Sequence, residues 1–340
     1  MRFFRSVVVG TLFSVMSVLP AFADIKVVVS IKPIHSLVSG VMAGVGVPSL
    51  IVEGAGSPHT YALKPSQARA LQDADVVFWV GAALETFLEK PLESLGANAG
   101  IEALMDIPGL KQLPFREDGP GHDADEESHA KHEDAHENAH EDEHKHEAGH
   151  KDAHEDEHED EHHHDHGEFD PHVWLDAENA KQMVRRISMT LVKTDPANAE
   201  VYRANTVAVL KRLDALDVQM TARLAPVADQ PFVVFHDSYQ YLEERFDLMA
   251  VGSITVVPDV MPGAERVGEI LHRIHELKAV CIFAEPQFTS KLVQVIAQEG
   301  GVRTSVLDPL GAGIPAGPEQ YFSLMGKLTD SMVECLGAPA

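Results

Sequence analysis

The chain has 340 residues, a formal net charge of -26 and only two cysteines, a length that suits two domains of ordinary size. Between Glu117 and Glu168 stand 22 acidic residues against Lys131, Lys145 and Lys151, so a net -19 of that charge is local. The remainder is mildly acidic, which argues against a nucleic-acid partner and suits a cationic ligand.

Arg2 and Arg5 precede an apolar run from Val7 to Leu19 and then Ala21-Phe22-Ala23, a small-x-small signal for a secretory peptidase. Residues 1–23 are therefore expected to be a signal peptide, with the mature chain starting at Asp24 in a bacterial periplasm. The run is short of the roughly 20 apolar residues of a spanning helix, and no Cys follows the cleavage signal to accept a lipid. No other run is long enough to span, so stable membrane insertion after cleavage is not expected.

The β-branched run Ile25 to Ser30 reads as a buried strand feeding the loop Ile31-Lys32-Pro33, and Ile34 to Val45 as a helix. Strands follow at Ser49 to Glu53, Asp75 to Val80 and Ile101 to Met105, alternating with helices from Pro65 through Leu71 and from Thr86 to Leu95. After the acidic stretch, Asp176 caps a helix to about Lys193. Asp195-Pro196 then opens one of near 30 residues without Gly or Pro in its interior, about 40 Å long. The strand and helix alternation then restarts: strands at Phe232 to Phe235, Val251 to Val257, Ala279 to Ala284 and Arg303 to Leu307, with helices at Ala264 to Leu277, Thr289 to Gln298 and Glu319 to Leu336. Such alternation implies parallel sheets. The expected class is α/β: two lobes, each a mostly parallel sheet flanked by helices, joined by one long rigid helix. The divisions are residues 24–195 for the first lobe, including a loop at 117–168, residues 196–225 for the linking helix, and residues 226–340 for the second lobe.

Fourteen of the 20 His fall between Gly121 and His166, where nothing apolar larger than Ala remains. His132, His136, His140 and His144 recur every fourth residue, as do His146, His150, His154, His158 and His162, followed by His163, His164 and His166. A helix there would stack imidazoles at i and i+4, but its acids repel and it has no apolar face, so disorder is expected. His-rich tracts suit metal capture; the tract either gathers or senses metal, or only keeps the protein soluble.

Outside the tract, His59, His172 and His236 each sit just after a strand or at a loop edge, where the ligands of open α/β sheets bind. Each has a hydroxyl or carboxylate close by to orient the ring, in Ser57-Pro58-His59-Thr60-Tyr61, Asp170-Pro171-His172-Val173-Trp174 and Phe235-His236-Asp237-Ser238-Tyr239. His35 reads as a loop His satisfied by backbone, and His272 and His275 as a solvated helix face. Glu285 ends a strand beside Pro286, while Trp174 and Tyr239 read as cleft wall. Cys281 and Cys335 are expected to pair in an oxidising compartment, the alternative being two buried thiols.

These contexts, with Pro65-Ser66-Gln67, Phe283-Ala284-Glu285-Pro286-Gln287-Phe288 and Leu307-Asp308-Pro309-Leu310-Gly311 in the same order, closely resemble the metal-binding solute-binding proteins of ABC transporters, and within them the zinc-uptake periplasmic binding proteins. The likeness covers nearly all of the mature chain. It implies two βα lobes bridged by a rigid helix, a metal held between them, and handover to a membrane permease, with the chain expected to act as a monomer. Carried over by position, it implies His59, His172 and His236 as ligands, with Asp308 or a water completing a roughly tetrahedral shell. Manganese-selective relatives place a carboxylate where His236 stands, and imidazole favours Zn2+. Pro58 departs from zinc members that carry an acid before the first His, which shifts weight to Asp308. The expected function is zinc binding for import, without catalysis. The alternatives are a zinc buffer or metal-dependent adhesin, and a zinc hydrolase, for which no His-Glu-x-x-His helix or nucleophile elbow is present.

Overall fold

The computed structural model describes residues 25–116, 168–255, 262–288 and 291–337. The expected signal peptide and the whole His-rich tract lie outside the described residues. Two four-stranded sheets, parallel throughout, form the framework. The first is built from β1 (Val27–Val29), β2 (Ser49–Leu50), β3 (Val76–Trp79) and β4 (Gly100–Ala103) in the order β2-β1-β3-β4, interleaved with α1 (Lys32–Val41), α2 (Pro65–Gln72) and α3 (Glu89–Leu95). The chain then runs through α4 (Ala177–Thr194) and the long α5 (Ala199–Leu224). The second sheet repeats the order as β6-β5-β7-β8, from β5 (Phe232–His236), β6 (Ala250–Thr255), β7 (Cys281–Ala284) and β8 (Arg303–Val306). Its helices are α6 (Gln240–Phe246), α7 (Ala264–Glu276), α8 (Lys291–Gly300) and α9 (Gln320–Gly337).

The central strands β1, β3, β5 and β7 are buried at every residue, as continuous apolar runs covered on both faces must be. The edge strand β8 alternates between half-buried and exposed. Alternation along β5 and β7 sorts the second lobe's core into two layers. Phe232, Val234, Cys281 and Phe283 join the large cluster shared with the first lobe, whereas Val233, Phe235, Ile282 and Ala284 face a separate cluster with Ile270, Ile274 and Ile296. His236 shares the parity of Phe232 and Val234, so its side chain falls on the side that meets the first lobe.

The long helix holds the lobes together. Between 3-10 turns at Pro196–Asn198 and Ala225–Val227, α5 is 26 residues, about 39 Å. It buries Tyr202, Val209, Leu213, Leu216, Met220 and Leu224 against α4, α1 and α9. A Cβ on Gly40 of α1 would lie 2.9 Å from Val209 Cγ2, which is why that crossing takes glycine.

Three local expectations need correction. Lys32 and Pro33 are the first turn of α1 rather than a loop, since proline is tolerated where a helix leaves its N–H groups unsatisfied anyway. Thr86 to Leu95 is a 3-10 turn followed by a seven-residue helix, and Leu104 to Asp106 is a 3-10 turn, not strand. The seven-residue α6 has no counterpart in the sequence reading, being too short to show a helical period.

Candidate metal centre

The three expected histidines meet at the carboxyl ends of the strands. His236 is the last residue of β5, His172 opens the 3-10 turn Val173–Leu175, and His59 lies in the loop between β2 and α2. One ring nitrogen of each lies within 4.8 Å of the others. Ring centroids are 5.6 Å apart for His59 and His172, 5.8 Å for His59 and His236, and 5.1 Å for His172 and His236. The Nε2 atoms of His172 and His236 are 3.3 Å apart. Ser57, Pro58, Trp174, Glu285, Gln287, Phe288, Pro309 and Leu310 wall the space between them, which is about 10 Å³, room for one water-sized sphere.

Two of the three rings are held by carboxylates at the nitrogen that faces away from the centre. Asp170 Oδ1 lies 2.7 Å from His172 Nδ1 and also accepts the His172 backbone N–H at 2.9 Å. Glu285 Oε1 lies 2.9 Å from His236 Nδ1, and the register of β5 and β7 makes that pair. Phe232 stands beside Cys281 and Val234 beside Phe283, so the next step brings His236 beside Glu285. In each case a proton on Nδ1 leaves the Nε2 lone pair free for a metal. Burial lowers the pKa of His236, but the carboxylates of Glu285, Asp237 and Asp170 together outweigh it and the net direction is up.

His59 is held through its loop. Gln67, on α2, accepts the Lys64 N–H and donates to Ile51 O at 2.6 Å and to the Tyr61 hydroxyl at 3.0 Å. This explains Pro65-Ser66-Gln67: the proline starts the helix and the glutamine ties the His59 loop to the sheet.

Asp308, the expected alternative to water as fourth ligand, stands outside the group of three. Its Oδ1 accepts the Leu310 and Gly311 N–H groups and the Gln287 amide, and its Oδ2 accepts the Ala312 N–H at 2.6 Å. The carboxylate is spent closing the turn after β8, which Lys32 Nζ grips from the other side through Ala312 O at 2.7 Å. Two other expectations are corrected: His35 belongs to helix α1 and not to a loop, and Tyr239 packs in the core and does not wall the cleft. His35 sits on α1, buried, with Nε2 2.9 Å from Pro48 O. His272 is exposed on α7 beside Glu276. Trp174 lines the cavity and donates to Pro309 O at 2.9 Å, while Tyr239 is fully buried in the core. Cys281 and Cys335 are bonded, joining β7 to α9 within the second lobe. No local sequence pattern marks the roles of Gln67 and Lys32. A strand-end His and a strand-end Glu 49 residues apart on adjacent parallel strands is a signal that could have found the His236 and Glu285 pair.

The family model described as "Zinc-uptake complex component A periplasmic" matches residues 27–335. The chain belongs to this zinc-uptake family. Among its relatives, the high-affinity zinc uptake system protein ZnuA of Brucella abortus (strain 2308) is 53% identical over 312 residues, 91% of either chain. A crystal structure of ZnuA shares the fold at a TM-score of 0.71 and 24% identity, over 92% of this chain and 100% of that one. The SBP FpvC from Pseudomonas aeruginosa in complex with Mn2+ also has a TM-score of 0.71, at 21% identity over 93% and 99%. The two solved structures share this chain's framework. Among the described residues, no helix is long and apolar enough to cross a membrane.

Proposed function

We propose that this chain captures Zn2+ between its lobes with His59, His172 and His236 and delivers it, without catalysis, to the permease of an ABC importer in the periplasm. The observation that carries this reading is the 3.3 Å between His172 Nε2 and His236 Nε2. Two nitrogens about 2.0 to 2.1 Å from a tetrahedral zinc ion are about 3.3 to 3.4 Å apart. The third imidazole is within reach of the same point, and an all-imidazole set favours zinc over the harder manganese ion. With Asp308 engaged in its turn, a water completes the shell.

The two carboxylates beside the rings hold imidazoles in the ligating tautomer, a binding role and not that of a general base. Residues 1–23 act as the export signal, and the His-rich tract at 121–166 supplies weaker, accessory zinc sites.

Calorimetric zinc titration of the mature chain, of a variant lacking residues 117–167, and of the double variant His59→Ala, His236→Ala tests the assignment. The tightest site survives the deletion and disappears from the double variant. The opposite pattern would move the principal site into the tract.

A further inference from the structure

The segment that leaves the first sheet and the one that returns to His172 form a short two-stranded arm. Pro114 and Phe169 pair antiparallel, Phe115 N–H donates to Glu168 O at 3.1 Å, and Asp170 N–H donates to Leu113 O at 2.9 Å. The arm sits between the two halves of the metal centre. On one side it carries Asp170, which orients His172. On the other it carries Arg116, whose side chain is only 16% exposed and reaches the second lobe.

There the guanidinium takes both oxygens of Asp237, through Nε to Oδ2 at 2.9 Å and Nη2 to Oδ1, and it reaches Glu243 through Nη1 to Oε2 at 2.9 Å. Asp237 is the residue after His236, and its side chain is 4% exposed; Glu243, on α6, is 9% exposed. A second tie runs alongside, for the Tyr241 hydroxyl donates to Asp170 O at 2.8 Å and accepts the Leu113 N–H at 3.1 Å. Carboxylates this deeply buried need a partner, and a planar guanidinium is the group that can engage two of them at fixed angles.

We propose that Arg116 is a positioning residue of the metal centre: by clamping Asp237 and Glu243 onto the arm that carries Asp170, it holds the His236 imidazole at the spacing from His172 that one ion requires. The inference rests on the three-histidine reading of the site. Arg116 does not touch the metal; it fixes the backbone that presents a ligand. A lysine in its place keeps the charge but cannot grip Asp237 with a fork while reaching Glu243.

The test uses the mature full-length chain and the variants Arg116→Ala, Arg116→Lys and His172→Ala. Three quantities are measured: zinc affinity by competition with a chromophoric chelator, the visible absorption of the Co2+ form as a report on tetrahedral geometry, and the melting midpoint of the metal-free protein. Arg116→Ala is expected to bind zinc about 10-fold or more weakly and to lose intensity in the Co2+ spectrum, with Arg116→Lys between it and the parent. Parental zinc affinity and Co2+ spectrum in Arg116→Ala, whatever the melting midpoint does, overturn the proposal. If the alanine variant does not fold, the same outcome in Arg116→Lys overturns it. His172→Ala separates the two failures. Weakened binding there, with parental behaviour in the Arg116 variants, removes the positioning role alone, whereas parental binding in His172→Ala removes the centre itself.

Discussion

Asp170 Oδ1 receives both the ring Nδ1 and the backbone N–H of His172, at 2.7 and 2.9 Å, so one carboxylate oxygen sets the tautomer of the ring and the turn that carries it. Glu285 does the first of these tasks for His236. Asp170→Asn and Glu285→Gln should each weaken zinc binding about 10- to 100-fold, the usual cost of losing the partner of a metal-bound imidazole. Chelator competition measures this, and parental affinity in both would mean the carboxylates do not tune the rings.

Removal of a ring should cost more. His172→Ala or His236→Ala takes away one of three nitrogens and deprives a buried carboxylate of its imidazole partner, so the loss of affinity should exceed about 100-fold. His35→Ala, whose ring bonds Pro48 O away from the centre, should leave affinity unchanged and serves as the control. Equal losses in all three would indicate damage to the fold instead of to the centre.

Zinc binding should depend on pH in a direction set by His236. Burial opposes its protonation, the carboxylates of Glu285, Asp237 and Asp170 together favour it more strongly, and the net pKa lies above the ordinary value. The protonated ring therefore stabilises the metal-free fold fully below about pH 6.5, and this contribution is lost as pH rises through the higher folded-state value. Zinc needs the neutral ring, so its affinity rises over that same interval. The increase in melting temperature on adding zinc should accordingly be small near pH 5.5 and large near pH 8. An increment independent of pH would contradict imidazole ligation.

Asp308→Asn should leave zinc affinity within about threefold of the parent, because the carboxylate is committed to the turn at Leu310, Gly311 and Ala312. Its cost should instead appear in stability, about 1 to 3 kcal/mol for the weakened set of hydrogen bonds, read from denaturant unfolding of the metal-free protein. A loss of affinity comparable to that of His172→Ala would restore Asp308 as a ligand.

The Cys281 to Cys335 bond closes a loop with a sequence separation of 54, worth about 4 kcal/mol in the chain-entropy account. Cys281 begins β7 and Glu285 follows its end, about 13 Å along the strand. Replacing both cysteines with alanine should therefore lower the melting temperature and leave zinc affinity intact. A matched drop in affinity would tie the bridge to the geometry of the centre.

By itself the sequence determined the framework. Val27–Val29, Val76–Trp79, Phe232 to Phe235 and Cys281–Ala284 are short apolar runs that alternate with helices, the pattern of covered parallel sheets, and the uninterrupted stretch after Pro196 reads as one long helix. It also singled out His59, His172 and His236, because each stands at the end of a strand or in a loop beside a group able to orient it. What tertiary structure decided is who meets whom. His172 and His236 are 64 residues apart, and their 3.3 Å approach comes from two lobes whose helices α1, α4 and α9 pack on α5, a relation that no local pattern encodes. The same packing directs the Asp308 carboxylate toward its own turn while Glu285 stands on the strand beside His236. It also brings Arg116 onto Asp237 across 121 residues. Local propensity and periodicity act over a few residues, whereas charge pairing and ligand convergence are set by distances in space that exist only once both lobes have closed on one core.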